Sequence, residues 1–429
     1  MSRRVVFVCR SAAGESLRSA QALSHLAHVE LLGIVEVDDL FVDAVRIANV
    51  HDFSQLLAAA RTLIEKHGPL DYIVTAQETL LESVAKTREA LDIPGMSSAT
   101  VRQTLDKSLL KSTLRRAGVQ TPPDRIVTSK TDAVRFLSEV AFPIMLKPLS
   151  GSGALATLLI HTAADLDHAL QLMQPSTEHP VLAEAYLHGQ ELCFDTITID
   201  NEPQLHSICF YYPSILEAIE NPELRWTCLM PREMDDDLYG DFIEQGLAAV
   251  RALSVGNSFT HMEGFLDTEG RLLGFTDATL RPAGARIGPM LGFAYDVDPY
   301  RAWARVVVDG CFDGPWERKY AVGTIFLRGI GSGTVERVDG IETIKRECGD
   351  LIVDTRWPKA GARKSDTYTG EGYITIRHPD TSKVQIALEL IRNTIKITYS
   401  EPETNLKWKD RFQNYQQLNR PAWEVGGSQ

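Results

Sequence analysis

The sequence has no stretch approaching the ~20 consecutive apolar residues of a membrane span, and no tract where lysine and arginine gather. Its 44 basic residues are outnumbered by 57 acidic ones, giving a net charge of -13. A phosphate backbone is held by a basic stripe, so nucleic acid is not an expected partner, and neither is a membrane. Cysteine is sparse: Cys9, Cys193, Cys209, Cys228, Cys311 and Cys348 are scattered without Cys-x-x-Cys spacing. That pattern speaks against a disulfide framework or a zinc ribbon and for reduced thiols in a cytoplasm. The opening "MSRRVVFVCRSAAGE" lacks the apolar length of a signal peptide, because Val5 to Cys9 is short and Arg10 interrupts it. A first strand is expected there instead. No Gly-x-Gly-x-x-Gly follows that strand, since Gly14 stands alone, and a dinucleotide fingerprint is therefore missing.

What is present is an ordinary globular composition over 429 residues, enough for about two to four domains. Over residues 1–100 the apolar runs "VVFVC", "LLGIVEV" and "DYIVTA" alternate with helical stretches such as Phe53 to Lys66, which predicts βαβ units and a parallel sheet. Residues 101–319 open with a helix through "TLDKSLLKSTLRRAGVQTPP", its Leu105, Leu109, Leu110 and Leu114 forming one stripe and Gly118 stopping it. Strands, helices and a hairpin follow in a mixed α+β arrangement. Short strands and turns, then the helical "VQIALELIRNTI", predict a small separate α+β domain over 320–400, with a polar extension carrying Trp408 and Trp423 over 401–429.

Lys147 ends the buried strand "FPIMLKP" and precedes Ser150, Gly151, Ser152 and Gly153. Small residues let backbone N-H groups approach phosphate oxygens, and an adjacent ammonium adds compact positive charge. Ser-Gly loops after strands are also ordinary turns. Glu184 and Glu191 bracket a strand, a turn and the next strand. Their carboxylates can accept from a ribose or an adenine amine, while the backbone of Ala185, Tyr186 and Leu187 offers a purine its amide edge. Two exposed strand-end acids are the plain alternative.

The hairpin "FTHMEGFLDTEGRLLGFTDATLRPAGARIG" carries Glu263 on its first strand and Asp277, Thr279 and Arg281 at alternate positions of its second. Alternate residues of a strand share a face. With the loop centred near Glu269, Glu263 faces Phe275, and Asp277 lies two residues along on the same side. Two acids so placed suit Mg²⁺, which takes one or two carboxylates and completes its octahedron with water and phosphate oxygens. Arg281 is then placed to stabilise a developing phosphoryl charge, and Arg286 is a candidate for a substrate carboxylate, with a surface ion pair as its alternative.

This order of features resembles the ATP-grasp superfamily. Lys107 in "DKSLLKSTLRRAGVQTPP" is similar to its first nucleotide lysine, "FPIMLKPLSGSGA" to its second lysine and flexible loop, and "VLAEAYLHGQELCFD" to its adenine hinge and ribose-binding strand. "HMEGFLDTEGRLLGFTDATLRPAG" resembles the metal-binding hairpin of amino-acid ligases related to biotin carboxylase. The superfamily usually has Glu-x-Asn-x-Arg where this chain has Asp277, Thr279 and Arg281.

The resemblance implies an ATP-grasp fold with an N-terminal parallel α/β domain and a small C-terminal lid domain. It also implies an ATP-dependent carboxylate-amine ligase working through an acyl phosphate, with ATP and Mg²⁺ or Mn²⁺. Small carboxylates and amines, amino acids above all, would be its substrates, and a homodimer is compatible with it. A phosphotransferase or carboxylase of the same fold, and a degenerate ATP-binding regulatory protein, are the competing readings.

Overall fold

The computed structural model describes residues 2–37, 41–151, 156–234, 236–365 and 367–402, without the side chains of residues 236 and 237. Ser152 and Gly153 lie outside the described residues, as does the C-terminal extension from 403 onward.

The first unit is a parallel sheet of Arg3–Ser11, Val29–Val37, Ala44–Arg46 and Tyr72–Val74, with Arg3–Ser11 paired to both Val29–Val37 and Tyr72–Val74. Its central strand is apolar on both faces because both are covered. Val6 and Val8 pack with Leu56, Ala60 and Leu63 of helix Phe53–His67, whereas Val5, Phe7 and Cys9 pack with Leu23 and Trp303. Asp52 starts that helix by accepting from Ser54 N at 2.8 Å and Gln55 N at 3.0 Å.

The single helix expected around Lys107 is two helices, Ser98–Leu105 and Lys107–Arg116, separated by Asp106. Asp106 is extended, and its carboxylate accepts from Ser108 N and Leu109 N, so it caps a new helix instead of continuing the old one. The expected leucine stripe is broken there: Leu110 and Leu114 are buried, and Leu109 is exposed. The face turned inward instead carries Lys107, Leu110, Lys111 and Leu114.

A small antiparallel sheet follows in the order Asp124–Val127, Val181–Ala185, Ile144–Pro148, Leu158–Ile160. Ile144 and Leu146 bury one face against Phe136, Leu166 and Ala169 of its two helices. Alternation sends Met145 and Lys147 to the other face, toward the rest of the molecule.

The largest element is an eight-stranded sheet, running in space from Leu272–Thr279 through Ser258–Leu266, Gln190–Ile199, Glu202–Tyr212, Thr227–Met230, Ala321–Leu327 and Gly372–His378 to Ile352–Arg356. The strands after residue 320 thus continue a sheet begun by strands before it. Phe242 and Val250 of helix Asp236–Leu253 and Val384 and Ile391 of helix Thr381–Thr394 bury one face. Met290 and Trp303, from two helices between the sheet's strands in sequence, help bury the other.

Candidate functional site

The first structural departure from the sequence reading is the hairpin register. Glu263 pairs directly with Asp277, not with Phe275, because the register shifts between Glu263 and Gly264 and again between Phe265 and Leu266. Each irregularity adds a residue to the second strand, which a count from the loop centre does not see. The two acids are therefore closer neighbours than alternation alone suggested.

They stand where two cavities meet. One is lined by Lys107, Lys147, Ser150, Gly151, Glu184, Ala185, Tyr186, Leu187, Glu191, Glu263 and Asp277. The other is lined by Glu78, Tyr211, Trp226, His261, Thr279, Arg281 and Tyr368, and shares Ile215, Glu263 and Asp277 with the first. Residues from five separate sequence segments named by the sequence reading thus converge. Arg286 does not join them: it is buried at the cap of helix Ile287–Tyr295, ion-paired with Asp354 and stacked 4.2 Å from the Tyr373 ring centroid.

Lys107 is the first residue of its helix, and its N-H donates to Leu149 O at 2.9 Å, tying the helix start to the loop after Lys147. Its ammonium donates to Gly151 O and Asp277 Oδ2, both at 2.7 Å. Burial works to lower the Lys107 pKa, but Asp277 more than offsets it and the net shift is upward. Asp277 responds in kind: burial disfavours its charge, and Lys107 holds its pKa below the usual carboxylate value.

Glu184 is buried between two lysines. Lys147 Nζ donates to Oε1 at 2.8 Å, and Lys111 forms an ion pair with Oε2. Burial opposes the carboxylate, yet the two ammonium groups depress its pKa. Lys111 was not singled out from sequence. It is fully buried, and burial, opposed by Glu184, brings its pKa down to about 8. Lys107 and Lys111 are four apart on one helical face, where like charges repel, so the spacing itself calls for an acid opposite each.

The amide edge expected of Ala185 to Leu187 is narrower than the sequence suggested. Ala185 N-H donates to Pro123 O at 2.9 Å and Tyr186 N-H to Pro143 O at 3.3 Å. Glu191 is buried and accepts from Ile215 N at 2.7 Å. Burial and the neighbouring Glu263 charge push its pKa up to about 8.

On the other side of the acids, Arg281 Nη2 donates to Glu78 Oε2 at 2.7 Å, so the N-terminal unit helps hold this wall. Sequence reasoning missed His261 and Asp195. The imidazole bonds Asp195 Oδ1 at 2.8 Å through Nδ1, and its Nε2 is 3.5 Å from Glu263 Oε1. Burial opposes charging His261, but Asp195 outweighs it and raises the pKa well above the ordinary value. A cation thus stands behind Glu263. The alternation His261, Glu263 within "THMEG" is the signal that places both on one face.

No family model matches the chain. The L-arginine-specific L-amino acid ligase of Bacillus subtilis is 23% identical over 269 residues, which is 60% of this chain and 63% of that enzyme. Matches to the first curated relatives span between half and two thirds of those proteins' length. Among solved structures, the L-amino acid ligase from Bacillus licheniformis superposes with a TM-score of 0.75 at 17% identity, covering 93% of this chain and 99% of that one. The biotin carboxylase domain of the Hydrogenobacter thermophilus 2-oxoglutarate carboxylase, in complex with MgADP, ADP and bicarbonate, superposes with a TM-score of 0.65 at 16% identity, covering 96% of this chain and 93% of that one. At such identities the likeness establishes architecture, and the chain has the ATP-grasp fold.

Proposed function

We propose that the protein is an ATP-dependent carboxylate-amine ligase that joins amino acids, or an amino acid and another small carboxylic acid, through an acyl phosphate. The observation that carries this reading is the wall shared by the two cavities, built from the paired Glu263 and Asp277. A phosphoryl donor in the lysine-lined cavity and a carboxylate in the other would meet across it. Similarity to an L-amino acid ligase in sequence and to another in fold supports the choice of amino acids.

In this reading Lys107, Lys147, Ser150 and Gly151 hold the phosphates, Glu191 accepts from ribose hydroxyls, and Leu187 faces the purine. Glu184 keeps Lys147 oriented instead of contacting adenine, because both its oxygens are already engaged. The donors present fit Mg²⁺: two opposed carboxylates, and the Thr279 hydroxyl, which is buried without a hydrogen-bond partner among the described residues. When bound there, the metal offsets charge on the transferring phosphoryl group. His261, with Nε2 at 3.5 Å from Glu263 Oε1, helps hold that carboxylate in place.

A substrate carboxylate oxygen forms a bond to the γ-phosphorus as the bond to the ADP oxygen breaks, the electron pair leaving with ADP. The amine nitrogen then attacks the acyl carbon, inorganic phosphate departs with the pair from the broken C-O bond, and the nitrogen releases its proton. Arg281, fixed by Glu78, faces the phosphoryl group and the tetrahedral oxyanion. The unbridged thiols, all buried except Cys311, fit a reducing compartment, which we take to be the cytoplasm.

The test is ADP and phosphate release with amino acids offered singly and in pairs, with ligated products weighed by mass spectrometry. Release that depends on an amino acid and yields an amide is the expected result. Magnesium-dependent nucleotide binding with no release across the whole panel would favour the regulatory reading.

A further inference from the structure

Side chains of metal-binding type that are far apart along the chain are collected by the large sheet. Cys193 and Asp195 are alternate residues of strand Gln190–Ile199 and so share a face. On the neighbouring strand Ser258–Leu266, His261 stands directly opposite Asp195 and Glu263 directly opposite Cys193. Three of these four close into a cluster: the ligating atoms of Cys193, Asp195 and His261 all lie within 4.8 Å of one another. Asp195 joins the other two. Cys193 Sγ donates to its Oδ2 at 3.1 Å, and His261 Nδ1 bonds its Oδ1 at 2.8 Å. A carboxylate can only accept, so both hydrogens point at Asp195.

The imidazole separates this cluster from the paired acids. Its Nδ1 faces Asp195, and its Nε2 lies 3.5 Å from Glu263. A cation bound through Nδ1 leaves Nε2 free to keep that contact. The cluster is reachable through two of its members: His261 lines the cavity that holds Arg281 and Glu263, and Asp195 lines a smaller hollow beside helix Ile287–Tyr295. Their side chains are 13% and 11% exposed. Cys193 is fully buried, and at 3.1 Å from Asp195 it needs no path of its own.

The donor set selects the ion. A thiolate, an imidazole and a carboxylate suit a borderline cation of the zinc class, with water in the fourth position, whereas Mg²⁺ takes oxygen ligands. A divalent ion here takes the place of the thiol and imidazole hydrogens, which leave as protons. It therefore enters the buried cluster without adding net charge.

We propose that Cys193, Asp195 and His261 form a binding site for one transition-metal ion of the zinc class, separate from the Mg²⁺ site proposed at Glu263 and Asp277. The site stands whether or not the protein is a ligase. A hydrogen-bonded triad that binds no metal, with zinc entering only at Glu263 and Asp277, is the competing account.

The experiment titrates Co²⁺ and then Zn²⁺ into reduced protein under excess Mg²⁺, in a Cys311→Ser background that removes the exposed thiol. Co²⁺ held by a thiolate gives a near-ultraviolet charge-transfer band that oxygen ligands do not. The expected result is that band, one Co²⁺ per chain, and its loss when Zn²⁺ displaces the cobalt. Cys193→Ser should abolish the band and weaken zinc binding by more than about tenfold, since losing even a group behind a metal ligand costs about 10- to 100-fold. Asp277→Asn should keep both. No band before Cys193 is changed would overturn the site, as would a band that survives Cys193→Ser or disappears in Asp277→Asn. X-ray absorption of the zinc-loaded protein needs no change at the cluster and decides the matter even where Cys193→Ser does not fold. One sulfur at about 2.3 Å and one nitrogen at about 2.0 Å support the site, and a shell of oxygen alone overturns it.

Discussion

The two cavities that meet at Glu263 and Asp277 differ in how their polar groups are matched. On the lysine-lined side every buried lysine among the described residues already has its acid: Lys107 has Asp277, and Lys111 and Lys147 share Glu184. On the other side the indole of Trp226 and the hydroxyl of Thr279 have no partner among the described residues. Charge left alone in a dry interior is far costlier than an unmatched neutral donor. The lysine-lined side must therefore carry its own counter-ions, and nucleotide binding there, as proposed, would be an exchange in which Lys107 trades Asp277 for phosphate and Asp277 trades Lys107 for metal. In the other cavity, binding of a substrate as proposed would displace no such internal pair. An exchange is sensitive to net charge, and an addition to shape and hydrogen-bond count.

The contrast is broken most severely at Lys111. It touches neither cavity's lining, yet it balances half of a fully buried carboxylate. Lys111→Met should lower unfolding stability by about 3–5 kcal/mol, the usual consequence of removing one partner of a buried pair. Urea denaturation checks this, and a loss under 1 kcal/mol would mean that Glu184 is adequately held by Lys147 alone.

Asp277→Asn should reduce turnover by about a hundredfold or more, the scale of losing one charge-stabilising group in a transition state. Nucleotide affinity should change by less than about tenfold, because metal charge matters most as the phosphoryl group transfers. Steady-state kinetics and calorimetry on the same preparation check the split. Equal losses in both would place Asp277 among the binding groups instead.

How much of this was legible in the sequence depended on whether a feature is local. The strand carrying Lys147 could be read because apolar alternation puts Ile144 and Leu146 in a core and the lysine opposite. The parallel first sheet was readable from apolar runs that alternate with helical stretches. The pairing of Glu263 with Asp277 was not, because bulges leave no mark that a residue count detects. Arg286 illustrates a longer reach: its partner Asp354 is 68 positions away, on the sheet's outermost strand. Lys111 was legible in principle, as the fourth residue after Lys107 on the same face, had the leucine stripe not been taken to define the buried side. Trp226 could not be read at all, since an unmatched donor is a property of everything around it.

A gentler test of the comparison uses pH. Glu191 has its pKa raised from 4.5 to about 8, first by burial and then by Glu263. A carboxyl raised on folding favours the folded state in its protonated form. The associated stability is fully present below the unfolded value, declines as pH rises through the window up to about 8, and is flat above it. Glu191→Gln removes this dependence, so the wild type should lose stability relative to the variant between pH 5 and 8. Parallel denaturation curves would show that the carboxyl is ionised throughout. If its carboxylate accepts from ribose, ATP should also bind more tightly as pH rises through the same range.

The smallest effect is expected at Thr279, and it tests the substrate-side half of the contrast directly. Thr279 is 4% exposed, and its hydroxyl has no hydrogen-bond partner among the described residues. Thr279→Val keeps the shape and removes the oxygen, so the ligand-free protein should gain up to about 1 kcal/mol, because an unmatched polar group has been withdrawn from the interior. A structural threonine with a hidden partner would lose a similar amount instead. The same substitution should lower turnover by a few-fold if the oxygen reaches the metal or substrate, and leave it unchanged if it does not. A protein that becomes more stable and less active at once would show that the unmatched hydroxyl is kept for the ligand. A protein more stable and equally active would take Thr279 out of that role, and the proposed metal would then rest on Glu263 and Asp277 alone.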